Sequence, residues 1–120
     1  MMRSFQLSRL LDEAQHSGRA WLEFLREPSL SLGVYHLKAG EVDRQQPHTE
    51  DEVYYVVSGR CRFRAGDEEQ EVGPGTVLFV GRLVEHRFFD ITEDLTVLVM
   101  FAPPEGPLAG VVASPPKSIS

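Results

Sequence analysis

Apolar residues recur along this chain with two different periods. Between Ser4 and His16, Leu7, Leu10, Leu11 and Ala14 fall on one face at helical spacing, and Gly18 follows as a stop signal. This predicts one short α-helix with a narrow apolar face that packs on the outside of something larger. From Trp21 onward the period is two. Trp21 to Arg26 and Leu30 to Leu37 read as strands, separated by Glu27-Pro28. The later strand candidates are Gln45 to His48, Glu52 to Val57, Arg60 to Ala65, Glu69 to Val72, Val77 to Val80, His86 to Phe89 and Leu95 to Phe101. Between them lie Ser58-Gly59, Gly66-Asp67, Gly73-Pro74-Gly75 and Thr92-Glu93-Asp94. Turn signals at such short, near-regular intervals mark an all-β sandwich or barrel.

The faces of these strands add a partner to the picture. In Glu52 to Val57, residues 52, 54 and 56 share one side, while Val53, Tyr55 and Val57 share the other. Both sides are largely apolar, and a strand buried on both sides needs cover beyond its own barrel interior. The N-terminal helix covers part of it and a second copy of the chain the rest, so a homodimer is expected.

A length of 120 residues suits one domain. The organisation read from the pattern is a helix and strand over residues 1–29, a barrel over 30–102 and a tail over 103–120. The tail holds five of the eight prolines and reads as extended, without a packed element. A net charge of −6 repels phosphate backbones, so nucleic acid is not an expected partner. No run of apolar residues is long enough to span a bilayer, and the N-terminus lacks the apolar core of a signal peptide. The single cysteine, Cys61, cannot form an internal disulfide, which fits a reducing cytoplasm.

The candidate chemistry lies in Gln46, His48, Glu52 and His86. Gln46 and His48 point to one side of a strand, a turn over Thr49 to Asp51 returns Glu52 to that side, and His86 heads a later strand. Imidazole nitrogen and carboxylate oxygen are natural ligands for Fe, Mn, Ni, Zn or Cu. Two histidines and one carboxylate leave coordination positions open, as in oxygen-using non-haem iron sites. Plain core or surface histidines are the other reading of the same residues. Glu52 runs directly into an apolar strand, where an unpaired buried carboxylate is costly.

These residues resemble the cupin motifs. The first, G-x5-H-x-H-x3-E-x6-G, is matched in spacing by Gly40, Gln46-Pro47-His48, Glu52 and Gly59. The second, a Pro-x-Gly region followed by a histidine and, four residues on, an asparagine, is matched by Gly73-Pro74-Gly75, His86 and Asp90. The resemblance covers about Leu30 to Phe101 and is to small single-domain cupins with glutamine in place of the first histidine. It implies a double-stranded β-helix (jelly-roll) barrel holding one divalent transition metal on His48, Glu52 and His86.

Three positions depart from the pattern. Gln46 stands where a histidine is usual, and its amide oxygen is a weaker donor for these metals, able instead to orient water or substrate. Arg82 lies in a loop at the barrel mouth. Asp90 replaces asparagine, and accepts the same hydrogen bonds but does not donate them.

Tyr54, Val56 and Phe88, sharing faces with Glu52 and His86, are candidate pocket walls together with Arg82. The first three are equally what any barrel core uses. His16 and His36 read as surface or structural residues. Arg60, Arg62 and Arg64 alternate with Cys61, Phe63 and Ala65. They form either a basic stripe for an anionic substrate or, more simply, a solvated face over a buried Cys61 and Phe63. The flanking arginines would depress the thiol pKa of Cys61.

The expected function is that of a metal-dependent enzyme, oxygenase-like in its sharpest form, acting on a small organic molecule in the barrel pocket. The alternatives are a non-catalytic cupin that binds or senses a small ligand or metal, and a degenerate barrel whose role is assembly with a partner protein.

Overall fold

The structure, a computed structural model, describes residues 1–44 and 47–105. One helix precedes six strands: α1 (Leu7–Ser17), β1 (Trp21–Glu27), β2 (Leu30–Leu37), β3 (Asp51–Ala65), β4 (Glu68–Val72), β5 (Val77–Val80) and β6 (His86–Ala102). The strands are ordered β1-β2-β6-β3-β4, with β5 on β3, and every pairing is antiparallel. The result is a jelly-roll β-barrel with one short helix on its outside.

The helix begins three residues later than the periodicity from Ser4 predicts. Gln6 occupies the cap position with extended backbone, and the ring of the preceding Phe5 stands edge-on to Phe24 of β1 at 5.0 Å. Leu10 and Ala14 are buried in a small cluster with Val34, Leu22, Phe24 and Leu98. Gly18, with φ of 68°, ends the helix as expected.

The segments read as two pairs of strands, Glu52–Val57 with Arg60–Ala65 and His86–Phe89 with Leu95–Phe101, are in fact two long strands, β3 and β6. They run antiparallel for most of their length. The turn signals between the halves mark bulges, not hairpins, with register shifts between Val56 and Arg62. Gly59 sits there with φ of 100°, and a Cβ on it would lie 2.4 Å from the Asp94 carbonyl oxygen and 2.6 Å from Leu95 Cα. Only glycine allows that approach of the two backbones. The bulge changes the alternation. Residues 52, 54 and 56 are buried before it and Cys61 and Phe63 after it, so both halves of β3 face the interior. Asp90, in the corresponding irregular stretch of β6, has φ of 50°. Asparagine and aspartate are the side chains that best tolerate this left-handed backbone, which explains the residue type at this position.

The interior is one apolar cluster that includes Tyr35, Tyr54, Val56, Phe63, Phe88, Leu95 and Phe101. Phe88 lies 5.0 Å from Tyr54 and 4.8 Å from Phe63, ring centre to ring centre. Buried Asp43 joins the connection after β2 to this core. It accepts a hydrogen bond from the Tyr35 hydroxyl at 2.8 Å and one from the Phe88 backbone N–H at 2.9 Å.

Two further expectations are corrected. The strand read over Gln45 to His48 is not formed at Pro47 and His48, which lie in irregular backbone; Gln45 and Gln46 lie outside the described residues. The chain beyond β6 does not simply leave the barrel. Pro104 and Glu105 are buried, Glu105 donates its backbone N–H to Ser31 Oγ at 3.1 Å, and Arg26 donates to the Glu105 carbonyl at 2.6 Å. Residues 106–120 of the expected tail lie outside the described residues.

Candidate metal centre

Three elements bring the chemistry together. His48 lies in the connection before β3, with its backbone carbonyl accepting from Leu83 N–H at 2.7 Å. Glu52 is the second residue of β3, paired with Val80 on one side and Phe101 on the other. His86 is the first residue of β6. Their nearest ligand atoms all lie within 4.8 Å of one another. The His48 ring stands edge-on to Phe101 at 5.1 Å and lies 5.8 Å from the His86 ring. The expected set of His48, Glu52 and His86 is therefore assembled at one end of the barrel interior.

The site is closed. The side chains of Glu52 and His86 are each 1% exposed and that of His48 is 10% exposed. His86 Nδ1 lies 2.8 Å from the Val84 carbonyl, and since a carbonyl only accepts, Nδ1 carries the proton. Its other nitrogen, Nε2, lies 3.1 Å from the Tyr54 hydroxyl and 3.0 Å from Glu52 Oε1. Both Glu52 oxygens and His48 Nε2 are buried without a hydrogen-bond partner. With Nδ1 protonated, a neutral His86 turns a lone pair toward a carboxylate oxygen, and two lone pairs at that distance repel. A proton shared between the two groups, or a metal, relieves that repulsion.

The electrostatics agree. Burial alone would lower the pKa of His86, but the Glu52 carboxylate, the Val84 carbonyl and Asp43 outweigh it and hold it above its ordinary value. His48 moves the other way. Burial lowers it and nearby His86 adds to the effect, against the pull of Glu52. Neutral imidazole is the form that binds a metal. Two nitrogens, a carboxylate and orphaned buried lone pairs thus fit a divalent transition metal; the donor types suit Fe, Mn, Ni, Zn or Cu.

Of the other sequence candidates, only Tyr54 touches this centre among the described residues. Gln46 lies outside the described residues. Tyr54, Val56 and Phe88 are fully buried in the core cluster, and Tyr54 reaches the site through its hydroxyl. Arg82 is exposed in the loop after β5, with its backbone N–H held by Asp51 Oδ1 at 2.9 Å. Together with the Leu83–His48 bond, this ties that loop to the segment carrying His48. His16 is exposed and contacts the Asp12 carbonyl; His36 contacts Thr96 Oγ1.

The arginines of β3 form the solvated face. Arg60 pairs with Glu93 and Arg62 with Glu69 and Glu71, each at 3.7 Å, and Arg64 pairs with Glu69. The expectation that they depress the Cys61 thiol is wrong. The arginines are paired with Glu69, Glu71 and Glu93, and burial of the sulfur, with Asp43, pushes the thiol up to about 12.

Sequence reasoning missed Glu105. It is 1% exposed, and its Oε2 lies 3.6 Å from His48 Nδ1. Burial and the carboxylates of Glu50, Glu52 and Glu23 push its pKa up to about 8. No local pattern marks it, because it is brought in by contacts from Ser31 and Arg26.

The chain belongs to the cupin family: the Cupin domain model matches residues 33–101, more than half its length. An uncharacterised protein of Streptomyces coelicolor is 48% identical over 104 residues, covering 87% of this chain and 99% of that protein. A crystal structure from Thermus thermophilus is similar with a TM-score of 0.70 at 24% identity, covering 86% of this chain and 99% of the other. The DMSP lyase of Ruegeria pomeroyi is similar with a TM-score of 0.61 at 23% identity, covering 77% of this chain and 46% of that one. At these identities the two structural likenesses show the fold alone.

Proposed function

We propose that this cupin holds one divalent transition metal on His48, Glu52 and His86 and acts as a metal-dependent enzyme on a small organic molecule, with oxygenase-like chemistry the sharpest version. The observation that carries this reading is the convergence of ligand atoms of His48, Glu52 and His86 within 4.8 Å of one another, with His48 Nε2 buried and without a hydrogen-bond partner. When bound, the metal supplies Lewis acidity or, if redox-active, oxygen activation. The chain's own residues do the rest. Val84 keeps the His86 proton on Nδ1 and so turns a lone pair inward. Glu52 contributes the negative charge. The Tyr54 hydroxyl, 3.1 Å from His86 Nε2, borders the site from the barrel core. Gln46 serves as a weak fourth ligand or substrate contact, and Tyr54, Val56, Phe88 and Arg82 shape the pocket. That the Ruegeria pomeroyi relative in fold is a lyase supports enzyme chemistry on this barrel without fixing the reaction.

One observation favours a second reading, in which the barrel binds a small ligand or metal without turnover. Glu52 and His86 are almost wholly enclosed, which leaves a substrate little access to them.

The proposed functional unit is a homodimer. Its support is the outer face of β3 and β5, where Val53 pairs with Phe79 and Tyr55 with Val77. Val77 and Phe79 are 65% and 68% exposed there. A cytoplasmic setting is supported by the single cysteine, which is buried and free. Among the described residues no helix is long and apolar enough to cross a membrane.

Metal analysis of the chain purified without added metal is the test. About one transition metal per chain, lost in His86→Ala, is the expected result. No metal as purified, and no uptake of Fe, Mn, Ni, Zn or Cu, refutes the metal reading. Oxygen consumption with candidate substrates then separates turnover from simple binding.

A further inference from the structure

The two histidines of the site are held by different means. His86 has its Nδ1 proton fixed by the carbonyl of Val84, two residues before it in the chain. His48 has no such local partner among the described residues. What faces its Nδ1 is a carboxylate oxygen of Glu105 at 3.6 Å, while its Nε2 is buried, without a hydrogen-bond partner, near Glu52 and His86.

We propose that Glu105 is the positioning residue of His48: its carboxylate takes the Nδ1 proton into a charge-assisted contact and thereby presents the Nε2 lone pair to the site. Metal-bound histidines almost always give their second ring N–H to an outer carboxylate or carbonyl, which fixes the tautomer and raises the basicity of the ligand nitrogen. Val84 does this for His86, and Glu105 does it for His48.

Three features show that Glu105 is built into this place. It is 1% exposed, and both its carboxylate oxygens are buried without a hydrogen-bond partner, so they are available to an imidazole N–H. Its backbone is clamped on both sides, N–H to Ser31 Oγ and carbonyl to Arg26, which holds the residue beside His48. Finally, its charge sits among those of Glu50 and Glu52, and a cation on His48, Glu52 and His86 would offset that crowding.

Glu105's role rests on the metal reading above, and the experiment separates the two. The full-length chain and its E105L and E105Q variants are titrated with Co(II), with thermal melts by circular dichroism as the folding control. Leucine removes the acceptor, and Co(II) affinity is expected to fall about 10- to 100-fold. Glutamine keeps an acceptor oxygen and is expected to recover most of that loss. The Co(II) absorption bands should keep their positions, because the ligand atoms are unchanged. A folded E105L that binds Co(II) as wild type does overturns the proposal.

A second readout needs no metal. Nitrogen-15 histidine NMR at pH 9 should show His48 as the Nδ1–H tautomer in wild type and lose that preference in E105L. Identical tautomers in the two proteins overturn the pairing. A wild type that takes up no Co(II), yet shows the tautomer shift, overturns the metal reading and leaves the pairing standing.

Discussion

The substitution Glu105→Gln should make the metal-free protein more stable at alkaline pH, although it removes a buried residue at the heart of the molecule. An exposed glutamate titrates near 4.5, whereas in the fold Glu105 is pushed up to about 8 by burial first and by Glu50, Glu52 and Glu23 after it. Below 4.5 both folded and unfolded chains keep the proton, so Glu105 adds no pH dependence. Between 4.5 and 8 the unfolded chain releases a proton that the fold retains, so stability falls as pH rises. Above about 8 both states are ionised and the full cost is present. At 1.36 kcal/mol per pH unit this interval amounts to roughly 2–5 kcal/mol, the lower end allowing for water that follows the charge into the site. Glutamine is close in shape and has no proton to lose.

The measurement is urea unfolding of wild type and E105Q, both stripped with a chelator, at pH 4, 7 and 9. The stability difference is expected to be small at pH 4 and to grow in favour of E105Q up to pH 9. Titrating groups remote from Glu105 are common to both proteins and cancel in the difference, so what remains is Glu105 and the groups coupled to it. Added zinc at pH 9 should narrow the gap, because a cation at Glu52 favours ionised Glu105. A difference that stays flat with pH would refute the argument, since it would mean that Glu105 is already ionised and satisfied in the metal-free fold.

Four other outcomes are expected. Gly59→Ala should cost about 3 kcal/mol in urea unfolding, from left-handed backbone strain and from the clash of the new Cβ with Asp94 and Leu95; a loss under about 1 kcal/mol, the cost of an ordinary glycine exchange, counts against the bulge as drawn. Phe88→Ala, emptying a fully buried position between Tyr54 and Phe63, should cost about 3–5 kcal/mol by the same assay. Phe79→Glu, on the exposed apolar face of β5, should shift the chain from dimer to monomer in sedimentation while the melting temperature of the monomer is kept; an unchanged sedimentation profile removes this face as the interface. Cys61, buried and with its thiol pushed up to about 12, should resist iodoacetamide at pH 8 in the folded protein and react once urea is added.

How much of this was legible in the sequence follows from how far apart the interacting residues are. The alternation in β3 set Glu52, Tyr54 and Val56 on one side and Val53, Tyr55 and Val57 on the other, because period two is a property of one strand, but it took both sides as buried and only the fold shows the first as the interior. The motif spacing named His48, Glu52 and His86, and the fold brings them together. The bulges were not legible as bulges. Ser58-Gly59 and Thr92-Glu93-Asp94 have the composition of turns, and only the approach of β6 to Gly59 shows that the strands run through. The N-terminal start of the helix slipped for a similar reason, since Phe5 is drawn to Phe24 across the chain.

The same distinction separates the two histidines of the site. The partner of His86 Nδ1 is a backbone carbonyl two residues away, which every sequence that forms this turn supplies. The partner of His48 Nδ1 is a side chain beyond the last strand, held by Ser31 and Arg26. One ring is therefore oriented by local structure and the other by the closure of the whole barrel. Changes at the Arg26–Glu105 or Ser31–Glu105 contacts, which touch no ligand, should consequently disturb His48 and leave His86 in place. Arg26→Ala offers that discrimination: in nitrogen-15 NMR the His48 ring signals should shift while those of His86 stay where they are, and equal shifts in both would mean that the site is oriented as a single unit.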